Sequence, residues 1–439
     1  MRMHRKVTCT ILFSIVSLLT ASCNSAGTKG TTSEDAAKKP DQPAELTFYG
    51  RSTQTEEYFN RYYGDAIKKK FPHYTLKYIQ KSTGSDLPDL VAAGTTIDIY
   101  YATVGNFESA LQSFGLQVDM TDWIQKSNLD TSRFEPTLLE AMKMNTGGPI
   151  YGLPVQSNVE VLYYNKTIFD QFGVPYLKDG MTWGDAIELS KKLTRTNGGK
   201  QYYGFSTTFD HMLRTNQFSL PRVDAKTGLP TIYTEPKWKT FFDTIYVKMM
   251  QGDAYAARMA KNNTLRTTDA FIKDQDVAMF AYMSQLYLTN PVELKSMNWD
   301  IVTLPTFKET PGTGSQAYPM YFGITKLTKN VDAAMAVLNF LVSDEFQTGL
   351  ARKGWMSSLN TAAVQKEYAQ DTEFKDKNYK ALFVKPAPIA YAPEYDPTLV
   401  SIYVQAADSA SKGTDMNTAF RLAEETAVKA IQEAKAKSK

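Results

Sequence analysis

The chain has 439 residues, 49 basic against 46 acidic, only two cysteines, and 12% aromatic content. At about 150 residues per domain that length holds two or three lobes, with a core large enough to stand without disulfides. Near-neutral charge argues against nucleic acid or another polyanion as partner.

Arg2, Arg5 and Lys6 precede an apolar stretch from Val7 to Leu19 and the small residues Thr20-Ala21-Ser22 before Cys23. That order reads as a secretory signal peptide over residues 1–22, and its apolar core falls short of the ~20 residues that span a bilayer. Removing it takes away Cys9 and three basic residues, which leaves 46 basic against 46 acidic. Leu19-Thr20-Ala21-Ser22-Cys23 resembles a bacterial lipobox, which implies an acylated Cys23 and a stable lipid anchor. Residues 23–44 carry nothing apolar larger than alanine apart from Cys23 and prolines, so they read as a flexible tether.

From Glu45 the pattern changes. Leu46-Thr47-Phe48-Tyr49 reads as a strand, and Tyr58, Phe59, Tyr62, Tyr63, Ala66, Ile67 and Phe71 recur at helical spacing up to Pro72. Tyr74, Leu76 and Tyr78 alternate as in a strand, Leu87 to Ala93 suggests a short helix, and Ile97 to Tyr101 a third strand. Strand, helix, strand, helix, strand is the grammar of a parallel α/β sheet. Further helices are expected over 182–193 opened by Thr182, over 332–350, and over 417–435 capped by Asn417. No internal repeat is evident, which disfavours an adhesive or structural array.

Catalytic motifs are absent. Histidine occurs only at 4, 73 and 211, and there is no H-E-x-x-H, G-x-S-x-G or G-x-x-x-x-G-K-[ST]. Gly312-Thr313-Gly314-Ser315-Gln316-Ala317 spells a dinucleotide fingerprint, but it follows Thr310-Pro311 rather than a strand and reads as a flexible loop. No metal or cofactor is expected. A secreted glycan hydrolase using paired carboxylates stays open as the alternative, with Asp98, Asp210 and Glu394 as candidates.

The positive signal is 26 Tyr, 23 Phe and 5 Trp, many in polar segments. Sugar sites combine flat aromatic plates with amide, carboxylate, guanidinium and hydroxyl groups, and such neighbourhoods surround Tyr101, Gln156, His211, Tyr282 and Trp355. Each alone also fits core packing.

Several segments together resemble the extracellular solute-binding proteins of ABC sugar importers, the maltodextrin-binding type of solute-binding family 1. Gly94 to Tyr100 resembles the family's glycine-to-aspartate strand. Ile150-Tyr151-Gly152-Leu153-Pro154 with Leu162-Tyr163-Tyr164-Asn165-Lys166 is the most specific piece, followed by Gly173-Val174-Pro175 and Thr182 to Ala186. Val277-Ala278-Met279, Val302 to Pro305, Tyr321 to Ile324 and a helix over 333–350 continue in the family's order. One departure is Trp355-Met356-Ser357-Ser358, where the family often has a proline between small residues.

The resemblance implies a two-lobed α/β periplasmic-binding-protein-like fold (type II), with mixed sheets flanked by helices and a ligand cleft between lobes. Lobe 1 would span 45–155 and 318–372, lobe 2 156–317 and 373–439, with hinges near Pro154 to Ser157 and Met320 to Phe322. It implies a non-enzymatic carbohydrate carrier, monomeric, held through Cys23 on the outer face of the membrane of a Gram-positive bacterium, and serving importer permease subunits. Expected ligand contacts are Arg51, Tyr101, Thr103 and Trp355 on lobe 1, and Gln156, Asn158, His211, Tyr282 and Gln285 on lobe 2. Arg51 fits a surface salt bridge equally well, and Tyr101 and Tyr282 fit core packing.

Overall fold

The computed structural model describes residues 42–51, 54–261 and 267–437. The signal peptide, Cys23 and nearly all of the expected tether lie outside these residues. Strand β1 (Ala44–Gly50) opens with Ala44 already paired to Tyr74.

Two sheets organise the chain. The first contains β1, β2 (Tyr74–Ile79), β3 (Ile99–Thr103), β4 (Leu153–Ser157), β10 (Met320–Ile324) and β11 (Met356–Ser357), in the order β11-β4-β10-β3-β1-β2. The second contains β5 (Glu160–Asn165), β6 (Arg195–Asn197), β7 (Lys200–Thr207), β8 (Val277–Met283) and β9 (Trp299–Thr303), in the order β6-β7-β8-β5-β9. β1 runs parallel to β2 and β3, as the alternation of strand and helix signals requires. β10 returns from far along the chain and inserts antiparallel between β3 and β4. β6 and β7 form a hairpin through Gly198 and Gly199, both at positive φ (56° and 77°), the two-residue turn that matches strand twist.

Each sheet has its own core. Leu46, Phe48, Phe107, Ile124, Phe322 and Leu338 are among the buried residues of the first, and Tyr163, Trp183, Phe205, Trp238, Phe280 and Trp299 of the second. Tyr368 and Ala369 pack in the second core. Only Asn158 and Val159 separate β4 in one sheet from β5 in the other, and the chain returns between β9 and β10. The architecture is therefore mixed α/β in two lobes joined by short crossings.

Three local expectations are corrected. Residues 332–350 form two helices, Val331–Leu341 and Asp344–Arg352. Ser343 interrupts them because its hydroxyl accepts the Phe346 N–H as an N-cap, with Asp344 and Glu345 in the following first turn. The break places Gln347 at the crossing: its amide donates to the Val155 and Leu341 carbonyls, both at 2.7 Å, and accepts from Ser357 Oγ at 2.6 Å. The last helix spans Met416–Lys437, and Asp415 rather than Asn417 accepts the Thr418 N–H, at 3.0 Å. The stretch around Gly314 is a buried strut rather than a flexible loop: Ser315 Oγ accepts the Glu160 N–H at 2.9 Å, and the Gln316 amide donates to the Asn216 carbonyl at 2.8 Å.

Candidate ligand-binding site

Strand ends deliver polar and aromatic groups to the place where the sheets meet. At the end of β1, Arg51 is exposed and donates through Nη1 to Asn106 Oδ1 at 3.1 Å. The Asn106 amide donates to Thr103 Oγ1 at 3.1 Å, and Thr103 in turn donates to the Tyr318 hydroxyl at 3.2 Å. Arg51, Thr103 and Asn106 border a cavity of about 310 Å³ together with Tyr101, Ala102 and Met320. Tyr318, just before β10, also donates its N–H to the Asn158 carbonyl at 2.8 Å.

From Tyr318 the line continues onto the second sheet. The ring of His211, on the helix Phe209–Arg214, lies edge-on to Tyr282 at 5.1 Å and 6.4 Å from Tyr318. His211 Nδ1 is 3.0 Å from Thr208 Oγ1, and Tyr282 stacks on Phe280 at 5.2 Å. Burial lowers the His211 imidazole below its ordinary range, partly opposed by Asp210, so the neutral ring prevails at pH 7. Asp210 pairs with Arg214 at 2.8 Å. Asn158 is buried, and its side-chain carbonyl accepts from Ser284 Oγ at 3.2 Å.

Two residues beyond Asn158 lies a group that the sequence reading passed over. Glu160, the first residue of β5, is 2% exposed, and neither of its carboxyl oxygens has a hydrogen-bond partner among the described residues. Burial, reinforced by Asp210, pushes its pKa up to about 8. Burial and the same two acids raise the Tyr282 hydroxyl to about 12. The readable signal was an acidic residue inside the apolar run Val159-Glu160-Val161-Leu162. Tyr318 and Asn106 carry no comparable mark.

Of the nine expected contacts, Arg51, Thr103, Asn158, His211 and Tyr282 gather along this line. Gln285 follows Ser284, half-buried, with its side-chain oxygen unpartnered among the described residues. Three others are corrected to core positions. Tyr101 is 1% exposed and lies parallel to Phe322 at 4.6 Å, because β3 is interior to the sheet. Its edge borders the cavity, but its face is taken by packing. Trp355 is 3% exposed, edge-on to Tyr58 and Tyr62. Gln156 is fully buried and accepts from the Tyr63 hydroxyl. Trp355 Nε1 and Gln156 Nε2 have no acceptor among the described residues.

Of the candidate hydrolytic carboxylates, Asp98 is committed to structure, accepting the Thr47 N–H at 2.8 Å and the Thr328 hydroxyl at 2.5 Å. Asp210 is held by Arg214. Among the described residues no three His, Cys, Asp or Glu side chains group as metal ligands, and no helix is long and apolar enough to cross a membrane.

A sugar transporter from Rhizobium etli, solved in an open conformation, superposes with a TM-score of 0.69 at 20% identity, covering 88% of this chain and 99% of that one. An ABC substrate-binding protein from Listeria monocytogenes, solved with cycloalternan, gives 0.68 at 15% identity over 89% and 100%. At such identities the likeness is one of fold. In sequence, an sn-glycerol-3-phosphate-binding periplasmic protein of Agrobacterium fabrum is 33% identical over 72 residues, which is 16% of this chain and 16% of that protein's length. The profile of the bacterial extracellular solute-binding protein family matches residues 51–348, well over half of the chain. This chain belongs to the bacterial extracellular solute-binding protein family.

Proposed function

We propose that this chain is the substrate-binding component of an ABC importer, capturing a carbohydrate, most simply an oligosaccharide, and delivering it unaltered to the membrane permease. The observation that carries the reading is the line Arg51, Asn106, Thr103, Tyr318, His211, Tyr282, which crosses from the first sheet to the second. It alternates donors and acceptors with aromatic faces, the combination that sugar rings require. A ligand drives closure only by binding the closed state more tightly, so contacts from both lobes are needed, and this line has members on both sheets. Family membership and a fold shared with sugar-handling proteins support the same reading. Lobe 1 would take in 45–155 and 318–372, lobe 2 156–317 and 373–439, with the crossings as hinge. Acylation at Cys23 would hold the monomer on the outer face of the membrane, as the lipobox-like residues suggest for a Gram-positive cell.

The test is a melting-temperature screen over mono- and oligosaccharides, followed by calorimetry and analysis of the sugar after incubation. A ligand selective for the folded state at a hundred times Kd adds about 2.7 kcal/mol and raises Tm by several degrees. A panel with no binder overturns the reading. Recovery of cleaved sugar would favour the hydrolase alternative.

A further inference from the structure

A short strap of the second lobe fastens onto the first lobe beside the candidate site. It runs from Pro386 to Pro393, between Leu382, a member of the second core, and the helix Asp396–Ser411, which packs in that core through Leu399 and Tyr403. Pro386, Pro388 and Pro393 restrict its backbone and favour an extended path. Its hold on the second lobe is repeated. The Gly314 N–H donates to the Lys385 carbonyl at 2.9 Å, the Ala387 N–H to the Ser315 carbonyl at 3.2 Å, and the Ala390 N–H to Gln316 Oε1 at 2.7 Å. Toward the first lobe its opening stretch borders a cavity of about 370 Å³, which Val384, Lys385 and Pro386 share with Pro136, Leu138 and Leu359.

The strap meets the first lobe at its far end. The Ala392 N–H donates to Asn145 Oδ1 at 3.0 Å, and a Cβ added at Gly105 would lie 3.9 Å from Ala392 Cβ. Asn145, on the helix Pro136–Thr146, turns its amide to Glu108 Oε1 at 3.2 Å, and Glu108 Oε2 accepts the Gly105 N–H at 2.8 Å. Asn145, Glu108 and Ala392 are all buried. Gly105 and Glu108 are the cap and third residue of the helix Asn106–Ser113, so the carboxyl group that caps this helix also holds the residue that holds the strap. Asn106, first in that helix, carries the hydrogen bonds to Arg51 and Thr103. A path of buried hydrogen bonds, which are stronger in low-dielectric surroundings than in water, thus leads from the strap to a polar group of the site.

We propose that Asn145 is a positioning residue, the clasp through which the 386–393 strap of the second lobe holds the start of the Asn106–Ser113 helix and fixes Asn106 for ligand. This rests on the sugar-binding reading given above and adds to it a tie between the lobes besides the chain crossings. With the clasp cut, the Asn106 amide must be ordered as ligand binds, and that ordering lowers affinity.

Two substitutions cut the clasp at different bonds. Ala392→Pro removes the N–H of the strap, at a position that already precedes Pro393 and so favours the extended backbone that proline adopts. Asn145→Asp keeps an acceptor for Ala392 but loses the amide that Glu108 accepts, and sets two carboxyl groups together. The Tm of each without ligand checks that it folds. Hydrogen exchange in the full folded chain without ligand, read by mass spectrometry, should be about fivefold faster over 104–108 in both variants and unchanged over 160–165. Calorimetry at pH 7 with maltotriose, cellotriose and mannotriose should show a Kd weakened roughly three- to tenfold in each variant for the sugar that the parent binds. The same substitutions made in Asn106→Ala should cost less than about twofold, because the clasp acts through Asn106. Exchange over 104–108 at the parent rate, or an equal affinity loss with and without Asn106, overturns the inference while leaving sugar binding intact. No binding of any of the three sugars at millimolar concentration overturns the coupling to ligand and counts against the sugar-binding reading as well.

Discussion

Thr103 and Tyr318 are 215 positions apart in sequence, yet the threonine hydroxyl donates to the phenol at 3.2 Å and so sets the tyrosine ring beside His211. β10 makes this possible, because Met320 pairs with Thr103 on one side and with Gln156 on the other. One hydrogen bond thus links the end of a first-sheet strand to the aromatic edge of the second-sheet wall.

Tyr318→Phe should keep the ring but release it from Thr103. A neutral hydrogen bond of this kind contributes about 0.5–1.5 kcal/mol net, so ligand affinity should fall roughly two- to tenfold with little change in Tm. Calorimetry with whichever sugar the screen identifies checks this. An unchanged Kd would remove Tyr318 from the site.

Glu160 makes stability depend on pH. Its folded value of about 8 lies above the ordinary 4.5, so the folded state holds a proton that the unfolded chain gives up earlier. The associated stability is fully present below about pH 4.5 and is lost as pH rises through 8. Denaturant midpoints at pH 5, 7 and 9 should decline more steeply in the parent than in Glu160→Gln, by about a few kcal/mol over that range. Parallel slopes would show that Glu160 is not held protonated.

Gly50 faces Tyr101 across β1 and β3. A Cβ at position 50 would lie 2.3 Å from Tyr101 Cζ, so Gly50→Ala must displace a side chain packed between Phe59 and Phe322. A cost of about 1–3 kcal/mol is expected, read as a lower Tm. Gly50→Ala combined with Tyr101→Leu should recover part of it, since the smaller side chain vacates the space; additive losses would contradict the contact.

Arg222 and Asp396 form a buried pair in the second lobe, with Nε and Nη2 donating to the two carboxylate oxygens at 2.8 and 2.6 Å. Asp396→Leu alone strands a buried guanidinium and should cost about 3–5 kcal/mol. Arg222→Met with Asp396→Leu should recover most of that loss, as denaturant titration of the three variants would reveal. A single variant as stable as the parent would mean water reaches the pair.

The first sheet was legible because its strands and helices alternate locally: Leu46 to Tyr49, Tyr74 to Tyr78 and the segment ending at Tyr101 carry their own periodicity. Thr182 likewise announces its helix by accepting the Asp185 N–H, within three residues of itself. The ordered family-like segments extended that reading to both lobes. What sequence could not supply was anything decided by distant partners. Tyr101 packs its face against Phe322 because β10, more than 200 residues later, pairs with β3 on the side away from β1. The break at Ser343 joins two helices whose apolar faces run on as if continuous. Trp355 fills space against Tyr58 and Tyr62 rather than facing the cleft.

The amino-acid order by itself determined the α/β grammar, the aromatic wealth, the balanced charge and the family, because each is a local or summed property of the chain. Tertiary structure alone decided that His211, Tyr282 and Tyr318 come together, and that Glu160 is buried with no donor to its carboxyl among the described residues. The reason is physical: burial and electrostatic environment depend on which strands become neighbours, and that is settled by packing across the sheets rather than by any stretch of sequence.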